Sequence, residues 1–180
     1  MQARTVAVIG AGGAGRAIAL AAARAGLRTI LEDVLPETLE RALAWIRAEL
    51  GSRSADEQSA FALIETAHSF EEAAREADFL FDATPDEWEL KIEMFTLFDK
   101  FARPQAPMLS VISTLSISDL ASMTYRPELC AGLRFLAGDS ARRRVEVVRS
   151  QRTAEKSIAE YREMAGRLGW DAAIVEEPRD

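Results

Sequence analysis

Residues 5–15 read TVAVIGAGGAG, a β-branched run that ends in a glycine-rich turn. The run predicts a strand over Thr5 to Ile9, and the alanine- and leucine-rich stretch after the turn predicts a helix over Ala14 to Ala25. Between them the glycines follow the pattern G-x-G-x-x-G. The first glycine permits a tight turn, the second lets the backbone approach a pyrophosphate, and the third allows the helix to pack closely on the strand. Because the start of such a helix also attracts an anion, we predict that a dinucleotide binds at the turn formed by Gly10, Gly12, Gly13, Ala14 and Gly15.

An acidic residue follows the turn at the distance that a dinucleotide site requires. Asp33 ends a strand predicted over Leu27 to Glu32, about 20 residues after the glycines. A carboxylate there accepts hydrogen bonds from the adenosine ribose and repels a 2′-phosphate, which favours NAD over NADP. Because side chains alternate between the two faces of a strand, we expect Glu32 to point to the opposite face and to lie at the surface. The alternative interpretation is that the glycines only join a strand to a helix and that Asp33 has only a local capping role in the backbone.

Strands and helices continue to alternate along the rest of the chain, with no internal repeat or linker to divide it. Pro36 is placed to open a helix that Gly51 ends, and two S-x-x-E capping boxes, at Ser54 and Ser69, mark further helix starts. We predict a doubly wound α/β fold of the Rossmann type with a mostly parallel sheet, as a single domain over residues 1–180 with a helical excursion at about 36–68. Further helices are predicted through Ala60 to Ile64, through Ala73 to Glu76, over Glu87 to Phe101, from Ser116 through Leu120 and from Thr153 to about Leu168. Further strands are predicted over Asp78 to Ala83, Met108 to Ile112, Ala131 to Leu136, Val145 to Val148 and Ala172 to Val175.

The composition excludes several classes of protein. The chain has 180 residues and a formal net charge of −7, with one cysteine and one histidine. Cys130 alone cannot close an intrachain disulfide, and His68 alone cannot supply a histidine-rich metal site, so we expect no metal. The negative charge disfavours nucleic acid as a partner. Uncharged stretches such as Ala17 to Ala23 and Ala106 to Ser118 are shorter than the roughly 20 residues that span a bilayer, so we expect no membrane segment and a cytoplasmic protein.

Five sequence blocks carry a specific resemblance that covers nearly the whole chain. They are VAVIGAGGAGRAIA from Val6, LEDV from Leu31, ADFLFDATPDEWELK from Ala77 to Lys91, SVISTLSISDLA from Ser110 and VEVVRSQRT from Val145 to Thr153. In these blocks the chain resembles the NAD-binding domain of the 3-hydroxyacyl-CoA dehydrogenases, which are enzymes of fatty acid metabolism. The resemblance implies an oxidoreductase fold with NAD as the cofactor and an acyl-CoA-type small molecule as a further ligand.

The resemblance also implies roles for individual residues. Ser113 matches a serine that helps to hold the substrate's 3-oxygen, Lys91 matches a lysine near the nicotinamide end, and Asp86 replaces the glutamate of the usual P-E pair. Glu146 matches the glutamate of a V-E-V strand, which in the family orients a catalytic histidine. That histidine accepts the proton of the 3-hydroxyl while a hydride passes to the nicotinamide.

The family's catalytic histidine is replaced in this chain. Counting back without gaps from the V-E-V strand, the family's H-F-F-N-P segment falls on Arg134 to Gly138, so an arginine stands at the position of the base. An arginine cannot accept a proton at neutral pH, because its pKa exceeds about 12. We expect Arg134 and Glu146 to lie within hydrogen-bonding distance as a bidentate pair. In the alternative, Arg134 points to solvent and Glu146 pairs with one of the consecutive arginines Arg142 to Arg144.

Three hypotheses about function stay open at this point. The chain is an active relative that oxidises a 3-hydroxyacyl-CoA or a similar hydroxy acid, a non-catalytic NAD(H)-binding protein, or a scaffold in which Arg142, Arg143 and Arg144 bind a protein or an anionic ligand. The family's second, helical domain carries most of the dimer interface and is expected to begin just after Glu177-Pro178, near the last residue of this chain. We therefore expect weak or absent catalysis and leave open a homodimer or a separate chain that supplies that domain. We interpret His68 as a surface residue rather than an alternative base, and Cys130 as a small core residue.

Overall fold

One eight-stranded sheet runs through the part of the chain that the structure describes. The structure is a computed structural model in which residues 5–51, 55–136 and 144–177 are described. The strand order is β3-β2-β1-β4-β5-β6-β7-β8. Strands β1 to β6 are parallel, whereas β7 runs antiparallel to β6 and β8 runs parallel to β7. The strands are β1 (Thr5–Ile9), β2 (Arg28–Glu32), β3 (Ile64–Thr66), β4 (Phe79–Asp82), β5 (Met108–Val111), β6 (Cys130–Phe135), β7 (Arg144–Arg149) and β8 (Asp171–Glu176).

Helices cover both faces of this sheet. One apolar cluster packs α1, α2 and α7 on one face, and a second cluster packs α4, α5 and α6 on the other. The predicted doubly wound, Rossmann-type α/β fold with a mostly parallel sheet is therefore confirmed. The helices are α1 (Gly13–Arg24), α2 (Pro36–Leu50), α3 (Ala55–Phe61), α4 (Phe70–Glu76), α5 (Trp88–Phe101), α6 (Ile117–Ser122) and α7 (Glu155–Arg167), with a short 3-10 turn at Pro127–Leu129.

Several helix ends follow the signals in the sequence. The hydroxyl of Ser69 accepts the N–H of Glu72 at the start of α4, and the hydroxyl of Ser116 accepts the N–H of Asp119 at the start of α6. Gly51 ends α2 with a φ of +79°, a conformation that favours glycine. In the described ranges no helix is long and apolar enough to cross a membrane.

Two predicted helix boundaries are wrong. The helix predicted through Ile64 ends at Phe61, and Ile64 instead opens β3, an edge strand of three residues that pairs with β2. A strand this short cannot display the two-residue alternation that predicts strands. The capping residue predicted for this helix, Ser54, lies outside the described residues. Thr153 does not open α7, which begins at Glu155, because the Thr153 hydroxyl donates to the carbonyl oxygen of Cys130 at 2.8 Å.

Candidate functional site

The glycine turn lies where the strand order of the sheet reverses. After β1 the chain builds β2 and β3 on one side, and it then returns to place β4 on the other side of β1. The crevice at the carboxyl ends of such strands is the usual ligand site of open α/β sheets. Gly10 lies there with a φ of +91°, and a Cβ on it would come within 2.7 Å of the carbonyl oxygen of Ala83. Both the conformation and the space therefore require glycine at this position.

The other two glycines of the pattern differ in their surroundings. A Cβ on Gly15 would lie 1.7 Å from the carbonyl oxygen of Gly10, which shows how closely α1 packs on the turn. A Cβ on Gly12 would meet no atom within 4 Å. The described protein atoms thus explain the glycine at position 15 but not the one at position 12, where the space is open to a ligand.

The N-terminus of α1 faces this open space without a side chain to cap it. Gly12 is the N-cap residue, and the first turn of the helix contains no acidic residue. The unshared N–H groups and the helix dipole give such an N-terminus a partial positive charge. The uncapped N-terminus of α1 and the open space above Gly12 fit the pyrophosphate of a dinucleotide.

Asp33 lies beside the turn, as predicted, and its carboxylate is hydrogen-bonded to the backbone. One oxygen accepts the N–H of Ala11 at 2.7 Å, and the other accepts the N–H of Leu35 at 2.9 Å. A carboxylate oxygen has two lone pairs, so each keeps one for a ribose hydroxyl. Asp33 can therefore hold the glycine turn in place and accept hydrogen bonds from a sugar at the same time.

Glu32 is buried, and its predicted surface position is wrong. Helices cover both faces of the sheet, and Glu32 is only 4% exposed. Burial disfavours the charged form of a carboxyl group. This burial, with a smaller contribution from the charge of Asp33, raises the pKa of Glu32 from 4.5 to about 7.

We expect Glu32→Gln to increase stability at alkaline pH and to leave it nearly unchanged at pH 5. The raised pKa means that the folded chain binds more protons than the unfolded chain between pH 4.5 and about 7. Stability is therefore lost as the pH rises through that window, by roughly 3 kcal/mol. Glutamine mimics the neutral acid and does not titrate.

Urea unfolding at pH 5 and pH 8 measures this effect, and Glu37→Gln, which changes an exposed glutamate of α2, is the matched control. Equal stability of Glu32→Gln and the unaltered chain at pH 8 would contradict the assignment of a raised pKa to Glu32.

Asp86 joins the loop after β4 to the loop after β5. Its Oδ2 accepts the hydroxyl of Ser113 at 2.5 Å, and the N–H groups of Ser113 and Thr114 at 2.9 Å each. Burial by itself raises the pKa of Asp86, but the hydrogen bonds from Ser113 and Thr114 together outweigh it and hold the pKa below its usual value. The other oxygen, Oδ1, is buried and accepts no hydrogen bond from the described residues. Since buried acceptors normally have a partner, this oxygen fits a hydroxyl or amide donor of a ligand.

Lys91 lies beneath the site rather than in it. Its side chain is 0% exposed, and its ammonium group donates to Oδ2 of Asp82 at 2.9 Å and to the carbonyl oxygen of Thr84 at 3.1 Å. An ammonium group enclosed in this way does not reach the crevice. The expectation that Lys91 lies near the nicotinamide end of the cofactor stays a prediction.

Arg134 and Glu146 are directly opposite each other on β6 and β7. The nearest charged atoms, Nη1 and Oε2, are 4.0 Å apart, and the two side chains are 31% and 30% exposed. The expected bidentate hydrogen-bonded pair is therefore wrong, although the two groups form a loose ion pair. Of the alternative partners of Glu146, Arg142 and Arg143 lie outside the described residues.

Arg134 also lines a groove of about 800 Å³ beside the loop that follows β5. Its Nε is buried and has no hydrogen-bond partner among the described residues. A permanent cation thus lines this groove. It can donate hydrogen bonds, but it cannot accept a proton. The groove is also lined by Thr114, Ser116, Arg149, Gln151 and Glu177.

Sequence analysis did not identify three residues that shape this end of the site. Asp82 and Ser110 are buried beneath the loops, and Thr114 binds Asp86. Asp82 ends the apolar strand sequence FLFD, and a charge in such a position is a signal of a buried, paired carboxylate. Ser110 and Thr114 carry no comparable signal, because serine and threonine are common at strand ends.

The remaining candidate residues lie away from the crevice. His68 is exposed next to the start of α4, where its N–H donates to Glu72. Cys130 is buried at the start of β6, and burial raises the pKa of its thiol, so it is unreactive. No cluster of three or more metal-ligating side chains occurs within residues 5–51, 55–136 and 144–177.

Comparison with known proteins gives consistent matches along the chain. The family described as "3-hydroxyacyl-CoA dehydrogenase, NAD binding domain" matches residues 5–177. The chain is 31% identical over 184 residues to a probable 3-hydroxybutyryl-CoA dehydrogenase of Bacillus subtilis, with 98% of this chain and 64% of that protein covered. It is 32% identical over 175 residues to the 3-hydroxyadipyl-CoA dehydrogenase of Escherichia coli, with 93% and 36% covered.

A solved structure matches over the same range. The crystal structure of 3-hydroxybutyryl-CoA dehydrogenase from Escherichia coli superposes with a TM-score of 0.90 at 28% identity, with 98% of this chain and 39% of that chain covered. The chain thus spans less than two thirds of the length of each of these relatives.

Proposed function

The chain belongs to the 3-hydroxyacyl-CoA dehydrogenase family, and from that membership we propose that it is an NAD(H)-binding oxidoreductase relative whose own residues do not support 3-hydroxyacyl-CoA oxidation. NAD is the cofactor of the matched domain. The observation that carries the proposal is a contrast between the two ends of the site. The glycine turn and Asp33 keep the features that a dinucleotide requires, whereas Arg134 stands at the position of the base.

In the proposed binding mode, the pyrophosphate lies over Gly12 at the N-terminus of α1 and the adenosine ribose lies on Asp33. The open space above Gly12 and the second lone pairs of the Asp33 carboxylate support these positions. The nicotinamide end then lies near Asp86, whose buried Oδ1 has no hydrogen-bond partner in the described ranges. When bound, NAD(H) accepts or releases a hydride, and the residues of this chain hold and orient it.

We expect Asp33→Ala to weaken NADH binding by about tenfold and to reduce the preference for NADH over NADPH. The loss corresponds to roughly one hydrogen bond to a charged group, and the repulsion of a 2′-phosphate disappears with the carboxylate. Calorimetric titration of the folded chain with NADH and with NADPH measures both effects. Glu37→Ala is the matched control, because it removes an equal charge from the exposed first turn of α2.

The titration of the unaltered chain also tests the cofactor proposal itself. A folded chain that binds no NADH at millimolar concentration would contradict it and would favour the scaffold hypothesis.

An active enzyme is the second candidate, because Ser113, Asp86 and Glu146 remain at the same end of the sheet. In that case a carboxylate has to take over the role of the histidine. The pKa of Asp86 is already lowered by its hydrogen bonds, and a group with a low pKa is a weak base. Glu146 lies beside a permanent cation. Asp86 is therefore a poor replacement for an imidazole, and the carboxylate of Glu146 is already engaged in a loose ion pair with Arg134.

We further propose an acyl-CoA-type ligand for the groove beside Arg134, a homodimer in solution and a cytoplasmic location. The groove volume of about 800 Å³ lies in the range of small-molecule sites. The buried Cys130, which forms no disulfide, suits a reducing compartment.

The homodimer follows only from the family resemblance. Light scattering of the purified chain tests it, since a monomeric mass would contradict it.

A further inference from the structure

A second large groove lies in the helix layer that contains α1, α2 and α7. It has a volume of about 750 Å³ and follows α1 from Gly13 to Ala25, and residues of α2 and of the turn after α7 close it. Small side chains of α1, such as Ala17 and Ala21, leave room in it. The groove shares only Gly13 with the glycine turn, so it is a separate site from the dinucleotide crevice.

Aromatic side chains fix the walls of this groove. Trp170 is only 9% exposed and makes edge-to-face contacts with Phe81 and Phe135, at 6.0 Å and 5.8 Å between ring centroids. On the α2 side, the guanidinium of Arg16 stacks on the ring of Trp45 at 4.6 Å. Because these contacts already hold the walls in place, a partner that binds here has little side-chain ordering to pay for.

The groove is positively charged, although the chain as a whole has a net charge of −7. Three arginines line it, Arg16, Arg24 and Arg167, against one acidic residue, Glu49. Within the described ranges, neither Arg16 nor Arg24 has a carboxylate within 4.0 Å. Arg24 donates instead to the backbone carbonyl oxygen of Glu49 at 2.9 Å. Electrostatic complementarity therefore favours an acidic partner.

The spacing of the two α1 arginines indicates which kind of acidic partner fits. Arg16 and Arg24 are eight residues apart, which is about 12 Å along the helix axis. An inorganic anion such as phosphate is too small to contact both. Acidic side chains two turns apart on a second helix have nearly this separation and lie on one face. A helix that lies along α1 can thus pair with both arginines, as in helix-in-groove recognition.

We propose that this groove docks an acidic helix of a partner protein. Two carboxylates of the partner pair with Arg16 and Arg24, and its apolar side chains pack over Ala17, Ala21 and Trp170. A nucleic acid fits less well, because its phosphates extend beyond the groove and meet a surface of net negative charge. The docking requires neither NAD(H) nor an acyl-CoA-type ligand, so it is independent of the proposed function.

An acidic model peptide tests the docking directly. The probe is about 18 residues long, enough to form a helix in water, with alanines and leucines on one face and two glutamates two turns apart beside them. Titration into the folded chain should shift the amide NMR signals of Ala17 and Ala21 and the Nε–H signals of Arg16 and Arg24. Binding should weaken as salt is added, because exposed charges are screened. A peptide with lysines in place of the two glutamates should not bind.

Charge reversal separates docking from non-specific attraction. We expect Arg16→Glu combined with Arg24→Glu to weaken the acidic peptide by at least about tenfold and to let the lysine peptide bind instead. Arg41→Glu combined with Arg162→Glu is the matched control, because it makes the same change of charge at exposed helix positions outside the groove. If the reversed variant does not fold, Arg16→Gln combined with Arg24→Gln removes the two charges and should also weaken the acidic peptide.

The possible outcomes address different claims. Shifts confined to the groove, together with the exchange of peptide preference on charge reversal, support the docking. No shifts at millimolar peptide, or equal weakening by the groove and control variants, would overturn it. A dimer in light scattering that is lost in Arg16→Glu, Arg24→Glu would also overturn it, because the occupant would then be a second copy of the chain. A chain that binds no NADH contradicts the proposed function but not the docking.

Discussion

Gly15→Ala is expected to cost the chain roughly 3 kcal/mol or more of unfolding free energy and to abolish NADH binding. The added Cβ would lie 1.7 Å from the carbonyl oxygen of Gly10, and neither atom can rotate away because both belong to fixed backbone. Only a shift of α1 away from β1 relieves the overlap, which places the cost at the upper end of about 1–3 kcal/mol for overpacking, or above it. For a chain of this size, that loss corresponds to a melting temperature lower by roughly 6–12 °C.

Gly12→Ala is the matched control, and it should separate folding from binding. A Cβ at position 12 would meet no protein atom within 4 Å, and the backbone there has a φ of −67°, which alanine adopts readily. We expect a stability change within about 1 kcal/mol, mainly because alanine is a poorer N-cap residue than glycine. NADH binding should nevertheless fall by at least about tenfold, since the methyl group occupies the space proposed for the pyrophosphate. Unchanged NADH affinity in Gly12→Ala would contradict that position of the cofactor.

The glycine turn could be predicted from the sequence because its signals are local. A strand, three spaced glycines, a helix and an acid at the end of the next strand all lie within the first 33 residues. Each signal reflects a constraint within one β-α-β unit, so no knowledge of distant contacts is needed. The short edge strand β3 was missed for the opposite reason. Its three residues are a strand only because β2 lies beside them.

The environments of buried charged residues could not be predicted in this way. Alternation along β2 cannot tell whether Glu32 is covered, because the cover of the sheet includes helices that come later in the chain. The family resemblance places Lys91 near the nicotinamide end, but it gives no sign of the ion pair that Lys91 forms with the buried carboxylate of Asp82. The distance between Arg134 and Glu146 likewise depends on the cross-strand geometry of β6 and β7 rather than on the identity of the two residues.

Acetoacetyl-CoA is expected to drive almost no NADH oxidation by the purified chain. Reduction of the 3-oxo group needs a hydride from NADH at carbon and a proton at oxygen, which together convert the carbonyl into an alcohol. The guanidinium of Arg134 can donate a hydrogen bond to that oxygen, but it does not release its proton, because an arginine side chain stays protonated in proteins. Loss of a positioned acid-base group typically lowers the rate by about 10²–10⁴.

Two substitutions at position 134 test whether the missing base limits the rate. Arg134→His places an imidazole directly opposite Glu146, the carboxylate that orients the histidine in the family. Arg134→Met removes the charge without adding a base and is the matched control. We expect Arg134→His to raise acetoacetyl-CoA-dependent NADH oxidation above both the unaltered chain and Arg134→Met, although to a small absolute rate, because the surroundings are built around a guanidinium. NADH titration of each variant checks that cofactor binding is equal. Substantial turnover by the unaltered chain, as fast as by Arg134→His, would contradict the proposal, because a residue other than the one at position 134 would then have to transfer the proton.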